Sequence, residues 1–171
     1  KTDELRYVLT SILPENKDSE FTWKDFQDRV NNELVAIFGN FVNRVVVLTN
    51  KYYEGIVPES SEVIESDKDI IEEVKKTAIQ IGESIEAYRF REALAGAMNI
   101  ARIGNKYLQD SEPWKLLKTD PERVKTIMKI ALQISANLAI AFEPFMPKKS
   151  QTLAKMLGLS GELTWEDLGS F

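Results

Sequence analysis

The stretch FTWKDFQDRVNNELVAIFGNFVNRVVVLTNKYYEG, residues 21–55, decides the fold. Thr22 is a natural helix N-cap with Asp25 three positions on, and Phe21 and Phe26 flank it as a hydrophobic staple does. From there Phe26, Val30, Leu34, Ile37, Phe41, Val45, Leu48 and Tyr52 recur every three or four residues, the period of one helix face. Gly55, with Pro58 beyond it, closes the pattern. The spacing predicts about thirty residues of helix starting near Trp23 and bent near Gly39.

The rest of the chain reads the same way. Thr2 to Leu13 places Leu5, Val8, Leu9 and Ile12 at helical spacing, and Pro14 with the polar run Glu15-Asn16-Lys17-Asp18-Ser19 stops it. The loop from Pro58 to Ser66 is acidic and serine-rich, and Ser66-Asp67 is the expected cap of a helix carrying Ile70, Ile71, Val74, Ala78, Ile81 and Ile85. A fourth helix is expected over Phe90 to Leu108, with Leu94, Met98, Ala101 and Gly104 on a stripe narrow enough for close helix approach. Pro113-Trp114 opens a brief helical turn, and Asp120-Pro121-Glu122 starts a fifth long helix in cap-then-proline order. That helix carries Val124, Ile127, Met128, Ala131, Ile134, Leu138 and Phe142, and Pro144 and Pro147 break it. A sixth runs from about Lys149 to Leu157 and ends at Gly158, after which Leu163-Thr164-Trp165 trails off as an irregular tail. Strand-like alternation, fixed-period repeats and low-complexity tracts are absent. The fold class is all-α: an antiparallel helical bundle of four or five main helices with a short N-terminal helical appendage.

Composition narrows the chemistry. The 171 residues, 43% hydrophobic, supply one sizeable core. With no cysteine and no histidine, a zinc enzyme, a cysteine protease or a Ser-His-Asp hydrolase cannot be built. Apolar runs such as Val45-Val46-Val47-Leu48 fall far short of the roughly 20 residues that span a bilayer, and no basic-plus-apolar leader opens the sequence. The expectation is a soluble, cytoplasmic protein without a membrane partner. Its start at Lys1, without methionine and already inside a helix, suggests a piece of something longer. The net charge of −5 argues weakly against nucleic acid, but residues 59–86 hold nine acids against three bases while 101–129 hold seven bases against four acids. One face can therefore be cationic while the whole is anionic.

Glu72-Glu73, Glu83 with Glu86 and Glu62 with Glu65 lie beside lysines without an ExxH companion, the pattern of a solvated face rather than a metal site. No phosphate-cradling glycine loop or EF-hand spacing occurs. Asn40, Asn43 and Arg44 interrupt a segment that ought to be core, and each buried without a partner costs roughly 1–3 kcal/mol. They form either an interhelical hydrogen-bond network or a polar strip beside a groove. Arg44, Val47 or Leu48, and Lys51 share one helix face. If the second and fourth helices pack side by side, Lys51, Asn105, Lys106 and Trp114 gather at one end of the bundle. Cations beside a partly exposed aromatic suit a single-stranded nucleic acid, whereas a tryptophan after a proline is more often a hydrophobic plug.

Several short motifs occur together in one order: Asp3-Glu4-Leu5-Arg6-Tyr7, Phe21-Thr22-Trp23-Lys24-Asp25-Phe26, Gly39-Asn40-Phe41-Val42-Asn43-Arg44, Lys51-Tyr52-Tyr53-Glu54-Gly55, Asn105-Lys106-Tyr107-Leu108 and Glu112-Pro113-Trp114-Lys115-Leu116. Over nearly the whole chain this order resembles methionyl-tRNA synthetases, in the carboxyl-terminal half of their core. The resemblance implies an end of the stem-contact region over 1–20, a helical anticodon-binding bundle of the class I synthetase type over 21–158 and an irregular tail over 159–171. It implies a parent ligase that activates methionine with ATP and Mg and attaches it to tRNA, with zinc as a further candidate in the catalytic half. The HIGH-type and KMSKS-type motifs of that half are not in these residues. This piece alone would therefore not aminoacylate and would hold no cofactor. Its implied partners are the anticodon loop of tRNA, read at CAU, and the catalytic domain of the same chain, with no role for DNA. The implied site is Trp114 against the first anticodon base, with Arg44, Asn50, Lys51, Asn105, Lys106 and Pro113 around it. Several members have asparagine where this chain has Val47, so the base-edge contact there is either absent or supplied by Asn50 or Asn105. The rival reading is a non-catalytic helical scaffold, or the equivalent domain of another class I synthetase.

Overall fold

A computed structural model describes residues 2–15, 18–59, 62–159 and 164–171; Lys1, Asn16, Lys17, Ser60, Ser61 and Leu163, which entered the sequence reading, lie outside them. Among the described residues every regular element is helical: α1 (Thr2–Ser11), α2 (Trp23–Arg29), a π-helical segment (Val30–Gly39), α3 (Asn40–Tyr53), α4 (Glu65–Glu86), α5 (Phe90–Ser111), α6 (Pro113–Leu116), α7 (Pro121–Ala141), α8 (Pro147–Met156) and, in the tail expected to be irregular, a 3₁₀ turn (Trp165–Asp167). The all-α bundle expected from the sequence is what forms.

The stretch 21–55 folds as one rod, but its middle is wound more loosely than an α-helix. Thr22 Oγ1 accepts the Asp25 N–H at 3.0 Å, and the Phe21 and Phe26 ring centres are 6.3 Å apart, as the staple requires. The expected bend near Gly39 is instead the end of the π segment. There the Asn40 N–H reaches back to the Val35 carbonyl, five residues earlier. A Cβ on Gly39 would lie 3.0 Å from the Leu34 carbonyl oxygen, so the wider turn favours glycine at its last position.

Helix boundaries shift for local reasons. α4 begins at Glu65, and Asp67 is not its cap but sits in its first turn, accepting the Ile64 N–H at 3.1 Å. α5 runs three residues beyond Leu108, until Glu112 turns left-handed at φ 42°. Asp120 caps α7 as expected, accepting the Arg123 N–H at 3.0 Å. Pro147 does not break a helix; it opens α8, where a missing N–H costs nothing.

α5 and α7 form the spine. α5 packs on α4, α7, α1, α3 and the π segment, and α7 on α5, α8, α3, α4 and α6. The small-residue stripe on α5 permits contact closer than a methyl group allows: a Cβ on Gly104 would lie 2.4 Å from Phe41 Cζ, and one on Gly96 2.7 Å from Ile81 Cγ1. By length and composition α7 would suffice to cross a bilayer, but 72% of its apolar window is buried inside the bundle.

α1 is anchored through helix ends rather than through its predicted stripe. Asp3, 3% exposed, accepts the Lys149 N–H at the start of α8 at 2.8 Å. Arg6 donates to the Pro144 and Phe145 carbonyls just past α7, at 2.8 and 3.3 Å. Each charge meets the pole of opposite sign. Tyr7 and Val8 are buried, while Leu5 and Leu9 stay 38% and 44% exposed. The tail is also more ordered than its sequence suggests: Asn137 accepts the Gly169 N–H and donates to the Ser170 carbonyl at 3.1 Å, holding 164–171 against α7.

Candidate nucleic-acid interface

The chain reverses in one residue at Glu112, and Pro113 starts α6 without an N–H to satisfy. Pro113 is buried, and Leu116 and Leu117 pack on the core. Trp114 is left turned outward, 37% exposed. Arg44 comes across from α3 to place its guanidinium carbon 5.1 Å from the centre of the indole. Such a contact contributes about 0.5–1 kcal/mol at an open site. No carboxylate pairs with Arg44 among the described residues.

Further along the α3 stripe, Val47 is 51% exposed and Lys51 is exposed, its ammonium 6.0 Å from the centre of the Tyr52 ring. Asn50 is exposed but folded back, donating to the Val46 carbonyl at 2.8 Å. Asn105 is placed differently. Its amide donates to the Ile37 and Ala101 carbonyls at 2.9 and 3.1 Å and accepts from Asn40 at 3.2 Å, fastening α5 to the junction of the π segment and α3. Asn40 is eleven residues before Lys51, about 16 Å of helix rise. The structure thus brings Trp114, Pro113 and Arg44 together and sets Val47, Asn50 and Lys51 farther along α3. Asn105 lies toward the opposite end of that stripe with both amide hydrogens in use. Lys106 is exposed and paired with Asp110 at 2.5 Å, whose hydrogen bond raises its pKa.

Close to α6 lies a cluster that the sequence did not disclose. Asp67, fully buried, accepts from the Tyr107 hydroxyl at 2.7 Å, from Arg123 Nη2 at 2.7 Å and from the Ile64 N–H. It joins α4, α5 and α7, and α6 is spanned between the last two. Burial pushes the Asp67 carboxyl up, but the bonds from Arg123, Tyr107 and Ile64 together outweigh it and hold the group below its usual range. Burial, and then the neighbouring Asp67, raises the Tyr107 hydroxyl. Nothing local signals this cluster, since its members are 40 and 56 residues apart. The acid pairs read as a solvated face rather than a metal site, Glu72-Glu73, Glu83 with Glu86 and Glu62 with Glu65, are all exposed. No group of three or more acids that could hold a metal ion occurs among the described residues.

Residues 57–170 match the family model described as the anticodon binding domain of methionyl tRNA ligase, and residues 1–46 match that of class I tRNA synthetases (M). The chain is 59% identical, over 97% of its length, to a methionine–tRNA ligase of Flavobacterium psychrophilum, and 60% identical over 98% to one of Christiangramia forsetii. It covers 24% and 25% of those proteins, so it spans about a quarter of the length of the relatives it matches. The solved structure of Mycobacterium tuberculosis methionyl-tRNA synthetase in complex with methionyl-adenylate superposes with a TM-score of 0.88, over 98% of this chain and 33% of that one. The identity there is 22%, a likeness of fold.

Proposed function

This chain belongs to the methionyl-tRNA ligase family, in its anticodon-binding domain, and from that premise we propose that it reads the CAU anticodon for a parent enzyme that attaches methionine to tRNA. The observation that carries this reading is the Trp114 ring, 37% exposed on a short rigid helix with Arg44 against it. An anticodon loop presents unstacked bases, the form in which RNA sequence is read, and stacking one on an aromatic ring contributes roughly 1–3 kcal/mol. Trp114 takes the first anticodon base, and Arg44 supplies positive charge beside the ring. Lys51 meets the loop backbone or a base edge. Val47 offers only apolar contact, so edge hydrogen bonds fall to Asn50 once its amide turns from the Val46 carbonyl. Pro113 fixes the angle of α6, Asn105 contributes by setting the α3–α5 crossing, and Lys106 adds a cation.

The partition proposed is the end of the stem-contact region over 1–20, the anticodon-binding bundle over 21–158 and a tail over 159–171. ATP, Mg and any zinc would act in the parent's catalytic portion. The partners are the anticodon loop and that catalytic portion, in the cytoplasm, without DNA or membrane. A scaffold role would make Trp114 a plug, and a ring more than one-third exposed does not favour it.

The test is binding of this chain to an anticodon stem-loop with CAU and to a one-base variant at one stated salt concentration. The expected result is a clear preference for CAU, diminished about 10- to 100-fold in Trp114→Ala. In the parent enzyme the same substitution should lower kcat/KM for tRNA while methionine-dependent ATP–pyrophosphate exchange stays near normal. Equal affinity of the unaltered chain for both RNAs would sink the proposal.

A further inference from the structure

We propose that the RNA engaged at Trp114 continues along the outer face of α5, where Arg102 and Arg91 anchor its phosphodiester backbone. This rests on the anticodon reading and extends it to a surface that reads no sequence.

Arg91, Ala95, Asn99, Arg102 and Lys106 fall on one stripe of α5, and none of them is buried. The small Ala95 leaves the stripe open as a groove of about 770 Å³, walled by Tyr7, Arg29 and Glu33 on one side and Tyr88, Arg91 and Arg102 on the other. Its charges are mostly spoken for. Arg29 pairs with Asp25 at 2.9 Å and Glu33 at 3.6 Å, Glu33 also accepts the Tyr7 hydroxyl, and Arg89 pairs with Glu92 at 2.9 Å. Glu15 accepts the Arg91 backbone N–H at 3.0 Å. The Arg91 and Arg102 guanidiniums alone in this groove have no carboxylate at ion-pair distance among the described residues. An unpaired guanidinium in a solvent-open groove presents the planar donor fork that fits a phosphate.

The stripe is continuous with the Trp114 site. The Asn40–Asn105 hydrogen bond lies between them, one residue before Lys106 on α5 and one turn before Arg44 on α3. Arg102 is nine residues, about 14 Å of rise, before the end of α5 at Ser111, and Arg91 is another eleven, about 16 Å. Along an A-form stem, the first distance is a few base-pair steps from the loop and the second about twice as many. Arg102 would therefore meet the anticodon stem itself, and Arg91 the RNA beyond it. Tyr88, 78% exposed at the far end of the groove, supplies an aromatic there.

The experiment measures affinity across a salt series for this chain and for Arg102→Gln, Arg91→Gln and Arg102→Lys, with the stem-loop and with a full-length tRNA transcript as probes. Arg102 is exposed and Arg91 half-buried, with no carboxylate partner among the described residues, so thermal unfolding should change little. Arg102→Gln is expected to weaken the CAU and variant stem-loops by the same factor and to reduce the slope of log K against log salt by about one, with Arg102→Lys near the original. Arg91→Gln should do so with the full-length transcript only. An unchanged slope, or a loss confined to the CAU RNA, overturns the proposal. An unchanged slope with altered unfolding of the parent enzyme also overturns it, and assigns the groove to the rest of the polypeptide. The two readings fail separately: lost CAU preference in Trp114→Ala with a normal Arg102→Gln slope removes only the track, whereas no CAU preference with a reduced slope removes only the anticodon assignment.

Discussion

Arg123 on α7 and Arg44 on α3 both lie close to the short helix α6, and they meet opposite kinds of partner. Arg123 is closed in with Asp67 and Tyr107, the carboxylate fully buried and its oxygens filled by four donor groups from three residues. Arg44 lies against a tryptophan that remains 37% exposed, with no acid paired to it among the described residues. A guanidinium whose partner is saturated and dry has no capacity left for a ligand, whereas one held by an aromatic face keeps its donors for a phosphate or a base. The first serves the packing of the helices, and the second belongs to the platform proposed for RNA.

Breaking the closed side should have the largest effect. Asp67→Asn leaves the part-buried Arg123 without its counter-charge, for which up to about 3–5 kcal/mol of destabilisation is expected. At 2–4 °C per kcal/mol for a chain of this size, the melting temperature should fall by roughly 10 °C. The pH dependence of stability checks the same cluster. The folded Asp67 carboxyl sits below its unfolded value, so its contribution is present above the ordinary carboxylate range and is lost as pH falls below it. Tyr107 is raised, so its contribution is intact below the ordinary tyrosine range and is lost as pH climbs through it. Asp67→Asn should flatten the acid limb in a series of melts; an acid limb identical to the unaltered protein's would show that the carboxylate does not carry it.

A substitution between the two sides comes next. Gly104→Ala puts a methyl 2.4 Å from the Phe41 ring, and overpacking of this kind costs about 1–3 kcal/mol. Because α3 carries Arg44 and Lys51, the strain should also displace the platform, and stem-loop affinity should fall along with the denaturant midpoint. A stability loss with unaltered RNA affinity would mean that the crossing does not position the site. The smallest stability effect is expected on the open side. Trp114→Ala should cost at most about 1 kcal/mol, the scale of an exposed cation–π contact, while it removes CAU preference. A drop in melting temperature matching that of Asp67→Asn would return Trp114 to the role of plug.

Much of this was legible in the sequence where the signals are local. The Thr22 and Asp120 caps, the Pro121 start and the small-residue stripe at Gly104 depend on residues one to four positions apart, and each stands where periodicity put it. Leu5 and Leu9 share the spacing of Val8 but remain open, because α1 is fastened by Asp3 and Arg6 to the ends of other helices. Asn105 read as a neighbour of Trp114 on the expectation that the second and fourth helices pack side by side; its amide is engaged with Ile37 and Asn40. Asp67 read as a cap from its position before an apolar run, and only Tyr107 and Arg123 reveal what it holds.

The sequence by itself determined that this chain is helical, where most of its helices start and stop, and that an aromatic among cations follows α5. Those properties follow from backbone capping and from a 3.6-residue period that each segment carries alone. Tertiary structure decided which cations remain unpaired, which carboxylate is buried and which face of Trp114 stays open. These depend on groups dozens of residues apart meeting within about 3 Å, the range over which a hydrogen bond or ion pair acts, and no local pattern encodes that meeting.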